Sequence, residues 1–219
     1  MKKLIFAFVS FVVLGLAFTP FALAGLDDDL SRGISELQTE WARVKYQEAN
    51  EEQQIKVIHE LEAKAHQLSK QFPNRAEPMI WEGIILATDA GIDQGFAALG
   101  KLKDARNLFE MALKLDDSAL EGSAYTSLGS LLYQVPGWPI SFRDDGEAEK
   151  LLKKAVEINP DGIDPNFFYG DFLSKRKRPE EAKLYLKKAL EAPSRPKRPL
   201  ADAGRRQEIR AVLAELDQK

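Results

Sequence analysis

The residues that could do metal or acid–base chemistry are few in this sequence. Its two histidines, His59 and His66, are seven residues apart and share one helix face, whereas ligands one turn apart suit a metal better. The run Asp27-Asp28-Asp29 lacks the ligand spacing of a calcium-binding loop. Acidic residues that open a helix stabilise its positive end, which accounts for this run without an ion. We therefore predict no metal site.

Recognised catalytic and cofactor motifs are absent from the sequence. It has no P-loop, no H-E-x-x-H and no G-x-S-x-G, and the glycines of segment 91–95 do not form a dinucleotide-binding turn. The adjacent carboxylates Asp144 and Asp145 stand near Trp138, where a glycosidase pair could be sought. Adjacent carboxylates on one turn rarely face a common substrate, however. The prediction is a protein without catalytic residues or cofactor, and therefore not an enzyme.

Two segments combine helix-breaking residues with large apolar side chains. Segment 134–143 contains prolines and a glycine that exclude helix and favour a rigid turn. Segment 88–100 contains three glycines, which allow close packing or movement of the backbone. Their apolar side chains either fold back as a local plug or line a site for a partner or ligand. These candidate binding residues are Phe96 and Leu99 in segment 88–100, and Trp138 and Phe142 in segment 134–143.

One spacing of apolar residues recurs along the chain. Ala148, Leu152, Ala155 and Pro160 follow one another as A-x3-L-x2-A-x4-P. The Ala and Leu positions return 34 residues later, and a similar set lies upstream. Each set places small and large apolar residues on one helix face, where the small ones let a neighbouring helix approach closely. The later set is Ala182, Leu186 and Ala189, and the upstream set is Ala105, Phe109 and Ala112.

Each of these helices has a predicted partner before it, marked by x-Gly-x2-Leu. Gly83, Gly129 and Gly170 are the glycines of the three partners. Gly170 lies 12 residues before Ala182, which leaves room for a short turn only. The corresponding separations are 19 residues from Gly129 and 22 from Gly83. We therefore expect two of the hairpins to carry insertions between their first and second helices.

This pattern resembles the tetratricopeptide repeat, whose 34-residue unit reads W-x2-L-G-x2-Y…A-x3-F…P. The resemblance covers roughly Leu61 to Pro193 and is most specific over 146–193. It implies an all-α solenoid with about four hairpins, two with insertions between helices A and B, and a C-terminal capping helix. We expect a single domain over 25–219, with a degenerate hairpin at 26–73, three repeats at 76–193 and the capping helix at 200–217.

The resemblance also implies a binding surface, because helix A of each repeat lines the inner groove in this family. Members that clamp a chaperone's terminal carboxylate use Lys and Asn there, but this sequence has Ile84, Ser130 and Asp171 at the Asn register, so that use is not expected. Both insertions should lie on one edge of the array, where their apolar residues would meet. The groove residues implied by register are Ile80, Ile84, Thr126, Ser130, Tyr133, Phe167 and Asp171.

The first residues of the chain are typical of an export signal. Lys2 and Lys3 precede an apolar run, and the small residues Ala22 and Ala24 form a cleavage pattern. The alternative is a membrane anchor, but the run is about fifteen residues against the roughly twenty that span a bilayer. We expect a signal peptide at 1–24, cleavage after Ala24, a periplasmic location and no transmembrane segment in the mature protein.

Charge and cysteine content narrow the classes of partner. Residues 25–174 hold 15 basic and 27 acidic residues, whereas residues 175–210 hold 13 basic and 5 acidic ones. An acidic body in an exported protein is not expected to bind nucleic acid. The chain has no cysteine, so neither disulfides nor a lipid-bearing cysteine are available.

The entry to the helix after Asp144 is also similar to that of periplasmic repeat proteins associated with TRAP transporters.

These observations favour a protein that works by binding. The leading hypothesis is an exported interaction or adaptor protein that binds a peptide or a protein partner. The alternative is a periplasmic binder of a small apolar ligand, with a role associated with transport. Because the residues of a groove do not name its occupant, the sequence leaves the identity of the partner open.

Overall fold

The structure, a computed structural model, describes residues 20–95, 97–137 and 140–218. These residues form nine helices, and no strand occurs among them. The prediction of an all-α helical solenoid is confirmed. The helices are α1 (Pro20–Tyr46), α2 (Glu51–Gln71), α3 (Ala76–Ile92), α4 (Ala98–Leu115), α5 (Ala119–Gln134), α6 (Asp145–Ile158), α7 (Ile163–Lys175), α8 (Pro179–Glu191) and α9 (Pro199–Asp217).

Local sequence explains where several of these helices begin. Asn50 precedes α2 and its side chain accepts a hydrogen bond from the Gln53 amide at 2.8 Å. Asp144 caps α6 in the same way, accepting from the Glu147 amide at 2.9 Å. α8 starts with Pro179, which has no amide hydrogen to leave unsatisfied at a helix start. Side-chain caps and proline thus fix the starts of three helices.

The glycine of each first helix packs against the large residue of the second. A Cβ on Gly83 would lie 2.6 Å from the Phe109 ring, and a Cβ on Gly170 would lie 2.8 Å from Leu186. Gly129 is in the same relation to Leu152. Only glycine lets these helix pairs approach so closely, because any side chain would overlap the facing residue. This contact is the physical origin of the recurring Gly, Ala and Leu spacing.

We expect Ala182→Leu to destabilise the fold by about 1–3 kcal/mol, because Ala182 is fully buried in α8 and extra volume would force the hairpin apart. The measurement is thermal or chemical denaturation of the purified chain. Ala211→Leu makes the same change on the exposed face of α9 and serves as the control. Equal melting temperatures for the two variants would contradict this packing.

The two insertions take different forms. α3 ends at Ile92 and α4 begins at Ala98, and these two helices have 17 and 18 residues against 13 each for α7 and α8. Most of this insertion therefore lengthens the hairpin, and Leu99 lies in the first turn of α4. Between α5 and α6 the insertion is a ten-residue connection, residues 135–144.

The array curves until its last helix meets its first. The first helices of successive hairpins contact one another in the order α3, α5, α7, and α9 follows α7. α9 also contacts α1, which brings Gly204 against the Tyr46 ring. The predicted capping helix therefore covers the last hairpin and also bounds one end of the concave side of the array.

The predicted signal peptide lies mainly outside the described residues. Residues 20–24 form the first turn of α1, so the predicted cleavage after Ala24 would leave that helix from Gly25 onward. In the described part of the chain, no helix combines the length and the apolar character needed to cross a bilayer.

Candidate functional site

The concave side of the array forms a groove of about 500 Å³, which we call the inner groove. Its base is built by α3, α5 and α7, which are the first helices of their hairpins, and its ends by α1 and α9. The fold positions it because these helices face inward while their partners pack outside. The residues that line the inner groove include Trp41, Lys45, Trp81, Ile84, Thr88, Thr126, Ser130, Asp164, Phe168, Arg198 and Arg205.

One wall of the inner groove is aromatic and held in place by hydrogen bonds. The Trp41 and Trp81 rings meet edge to face, with centroids 5.8 Å apart. Trp41 donates from Nε1 to the Thr88 hydroxyl at 2.9 Å, and this hydroxyl donates to the Ile84 carbonyl at 2.8 Å. Trp41 and Trp81 are almost fully buried, so the wall is a fixed support of the groove that needs no reordering when a ligand binds.

The end of the groove formed by α7 and α9 is held by a buried ion-pair network. Arg205 donates from Nε to Asp164 at 2.8 Å and from Nη1 to Glu208 at 2.5 Å. Its guanidinium also lies 4.6 Å from the centre of the Phe168 ring. Burial alone would raise the pKa of Asp164, but the guanidiniums of Arg205 and Arg195 hold that pKa below its usual value. This network locks α9 onto α7.

Lys45 brings a second positive charge to the same end. Burial lowers the pKa of Lys45, and the neighbouring Arg205 lowers it further. Glu208 opposes this shift with an ion pair to Lys45 at 3.0 Å. The ammonium also lies 5.1 Å from the centre of the Tyr46 ring. α1 and α9 are thus joined by charge as well as by packing.

Arg198 differs from the other cations because no carboxylate of the described residues lies within 4.0 Å of it. Its guanidinium lies over the Trp81 ring, 5.2 Å from the centroid. Its Nε is buried and has no hydrogen-bond partner in the described part of the chain. Burial lowers the pKa of Arg198. The groove therefore contains a partly buried positive charge that can pair with an anionic group of a ligand.

The residues predicted from helix register divide into two groups. Ile84, Thr126 and Ser130 line the inner groove. The other four lie in the packing beneath it: Ile80 is fully buried between hairpins, Phe167 lies under the Arg205 guanidinium, and the Tyr133 hydroxyl donates to Asp171 at 2.6 Å.

The loop residues are placed only in part. Phe142 packs against the core, and the Arg106 guanidinium of α4 lies 5.2 Å from its ring centre. Phe142 therefore lies beside the lengthened α3–α4 hairpin. Phe96 and Trp138 lie outside the described residues, so the cluster of Phe96, Leu99, Trp138 and Phe142 stays a prediction.

Helix register could not supply the residues at the ends of the groove. Trp41 and Lys45 come from α1, whereas Arg198 precedes α9 and Arg205 lies within it. None of these belongs to a repeat motif, and only closure of the array brings them together. The basic character of segment 175–210 was the one sequence signal for the cations of the groove. Many of the basic residues of this segment form internal ion pairs instead, such as Arg178 with Glu149 at 2.7 Å.

Comparison with known families agrees with this architecture. Residues 163–195, which cover α7 and α8, match the model of the tetratricopeptide repeat. The chain carries a tetratricopeptide repeat. The matched unit is the one with the standard 12-residue separation between Gly170 and Ala182, and the prediction of this repeat type is confirmed.

One solved structure of a tetratricopeptide repeat protein is similar in fold. A thermophilic TPR protein of Thermus thermophilus gives a TM-score of 0.55 at 19% identity, covering 73% of this chain and 73% of that one. Yeast Tom70 gives 0.47 at 17% identity over 72% of this chain and 30% of that one. PilF of Pseudomonas aeruginosa gives a TM-score of 0.36 at 14% identity, covering 88% of this chain and 90% of that one. No curated protein matches the sequence. The tetratricopeptide fold suggests a role in protein–protein interaction.

Proposed function

We propose that this tetratricopeptide protein is an exported adaptor that holds an extended segment of a partner protein in the inner groove. The observation that carries the proposal is the groove itself, where the cation Arg198 lies over the Trp81 ring of the aromatic wall and has no ion-pair partner among the described residues. The sequence supports the export part through its predicted signal peptide. Mass spectrometry of the periplasmic protein would show an N-terminus at Gly25, and a full-length membrane-bound product would contradict export.

The lining of the groove indicates what kind of segment fits. Apolar side chains of the segment would pack on the half-buried Ile84 and Phe168, where contact removes apolar surface from water. A carboxylate would pair with Arg198. The hydroxyl of the half-buried Ser130 lies on the base and can hydrogen-bond the main chain of the segment. The proposed partner therefore offers an acidic and apolar stretch in extended form.

A small apolar ligand in a transport-associated role is the second candidate. The observation that favours it is the volume of about 500 Å³, which lies within the range of roughly 300–1,000 Å³ for small-molecule sites. Native mass spectrometry of the purified chain distinguishes the two candidates, because a bound small molecule adds a discrete mass that extraction with organic solvent removes.

The proposal is tested by crosslinking from inside the groove. A photo-reactive amino acid at Ser130, on the groove base, is activated in cells that export the protein. The control carries the same group at Lys150, which is exposed on the outer helix α6. We expect a specific protein adduct from position 130 and none of that mass from position 150. Adducts that are the same from both positions, or none from position 130, would contradict the proposal.

A further inference from the structure

A second cluster of polar side chains lies outside the inner groove, at the C-terminal end of α3. It contains His59 of α2, Asp89 in the last turn of α3, and Asp93 directly after that helix. His59 Nε2 lies 3.3 Å from Asp89 Oδ1 and 3.6 Å from Asp93 Oδ2. One atom from each residue lies within 4.8 Å of the other two. We call these three residues the His59 cluster.

Asp89 is the unusual member, because it is fully buried and one of its oxygens is unpaired. Its side chain is 0% exposed. Oδ1 accepts no hydrogen bond from any described residue. A buried polar atom without a partner costs about 1–3 kcal/mol, and more when it is charged, so such atoms call for a physical explanation. The unpaired oxygen points at His59, into the centre of the cluster.

The other oxygens of both carboxylates are already held by the protein. Lys101 donates to Asp89 Oδ2 from the first turn of α4. The amide of Gly95 donates to Asp93 Oδ1 at 3.2 Å. Each carboxylate therefore keeps its second oxygen, Asp89 Oδ1 or Asp93 Oδ2, for the centre. Support of this kind orients the ligands of metal sites and fixes which atom faces the ion.

Charge around the cluster is also unbalanced. Asp89, Asp93 and Glu62 bring three carboxylates, and Lys101 is the one permanent cation among the described residues that pairs with them, at 2.9 Å from Glu62. The exposed C-terminal carbonyls of α3 add partial negative charge at the same place. A divalent cation would neutralise this excess.

We propose that the His59 cluster binds a divalent transition-metal ion of the zinc class through His59 Nε2, Asp89 Oδ1 and Asp93 Oδ2. A tetrahedral zinc ion with bonds of about 2.0–2.2 Å separates its ligand atoms by about 3.3–3.6 Å, which matches the two distances from His59. The imidazole nitrogen favours zinc over magnesium or calcium, which prefer oxygen. His59 and Asp93 are 44% and 39% exposed, so the ion can enter from solvent and keep a water ligand.

Binding at this cluster would tie α2 to the end of α3. Gly91 and Ile92, which line the rim of the inner groove, lie between the two aspartates in sequence. An ion held by Asp89 and Asp93 would therefore fix the backbone of this rim and the start of connection 93–97. The ion acts here as a structural clip, and no reaction is assigned to it.

Zinc chloride titrated into the metal-free purified chain tests the proposal by isothermal calorimetry. We expect one ion per chain, and at least tenfold weaker binding in each of His59→Gln and Asp93→Asn. His66→Gln is the matched control, because His66 lies on the same helix and its Nδ1 pairs with Glu82 at 2.7 Å, outside the cluster. We expect the control to bind like the unchanged chain.

Cobalt(II) provides a second readout that does not depend on stability. Bound at the cluster, it should give the visible absorption of a four-coordinate site in the unchanged chain and in His66→Gln, and lose it in His59→Gln. Absence of zinc binding in the micromolar range would overturn the proposal. Binding that His59→Gln leaves intact, or that His66→Gln abolishes, would overturn it as well.

Discussion

Replacing Asp164 by alanine should lower the free energy of unfolding by about 3 kcal/mol. Removing one partner of a buried ion pair typically costs about 3–5 kcal/mol, because the other charge stays buried without compensation. The lower end applies because Asp164 is 23% exposed and Arg205, itself only 5% exposed, keeps its contact with Glu208. Urea denaturation measures the effect. Asp161→Ala, at an exposed position two residues before α7, is the control and should change little.

Acidification should reveal the same interaction. Because the folded-state pKa of Asp164 lies below the ordinary value, its stabilisation is complete above about pH 4 and is lost as the pH falls through the folded-state pKa. The unchanged chain should therefore lose stability more steeply below about pH 4 than Asp164→Ala does. Parallel stability curves for the two proteins would show that Asp164 is not paired as described.

Gly204→Val should have the second large effect, because it strikes the contact that closes the array. A Cβ on Gly204 would overlap the Tyr46 ring, and valine adds two methyl groups there. We expect a loss of about 1–3 kcal/mol, as for other overpacked contacts. We also expect α9 to separate from α1, which would open one end of the inner groove and weaken partner binding.

The neighbouring Ala203 provides the control for this change. It lies one residue earlier in α9 and is exposed, so Ala203→Val puts the same β-branched side chain into the same helix without the overlap. Melting temperature and partner binding are measured on both variants. If Gly204→Val melts and binds like Ala203→Val, the array is not closed at this contact.

The sequence predicted the hairpins because their packing is local and periodic. Gly170 and Leu186, or Gly129 and Leu152, are close in the chain and repeat, so their spacing records which helix faces meet. The contact between α1 and α9 that closes the array has no such repeated spacing. Gly204 and Tyr46 are separated by most of the chain, and nothing in either local sequence indicates the other.

Two sequence signals pointed to a different local structure from the one found. The glycines of segment 88–100 indicated close packing or movement of the backbone in an insertion between two helices, yet Gly91 lies within α3 and Gly100 lies within α4. A helical glycine costs only about 1 kcal/mol, which the rest of a long hairpin outweighs. The spacing of His59 and His66 on one helix argued against a metal site. The neighbours of His59 in space are instead Asp89 of α3 and Asp93, which directly follows that helix.

The candidate site was predictable only where helix register determines it. Of the residues selected by register, Ile84, Thr126 and Ser130 line the inner groove, because they project from the inward face of α3 and α5. It also selected Tyr133 and Phe167, which are large enough to turn into the core beneath that face and are almost fully buried. Side-chain size, which register does not describe, separates these two aromatic residues from the smaller Thr126 and Ser130.

The central claim, that a partner segment lies in the inner groove against Arg198, is tested most directly by a binding titration. The segment crosslinked from position 130 is synthesised and titrated into the unchanged chain, Arg198→Gln and Arg210→Gln. Loss of a charge-assisted hydrogen bond to a partly buried guanidinium should weaken binding about tenfold in Arg198→Gln. Arg210 is exposed on α9, away from the groove lining, and its variant should bind as the unchanged chain does. Equal affinity of all three proteins would contradict the claim.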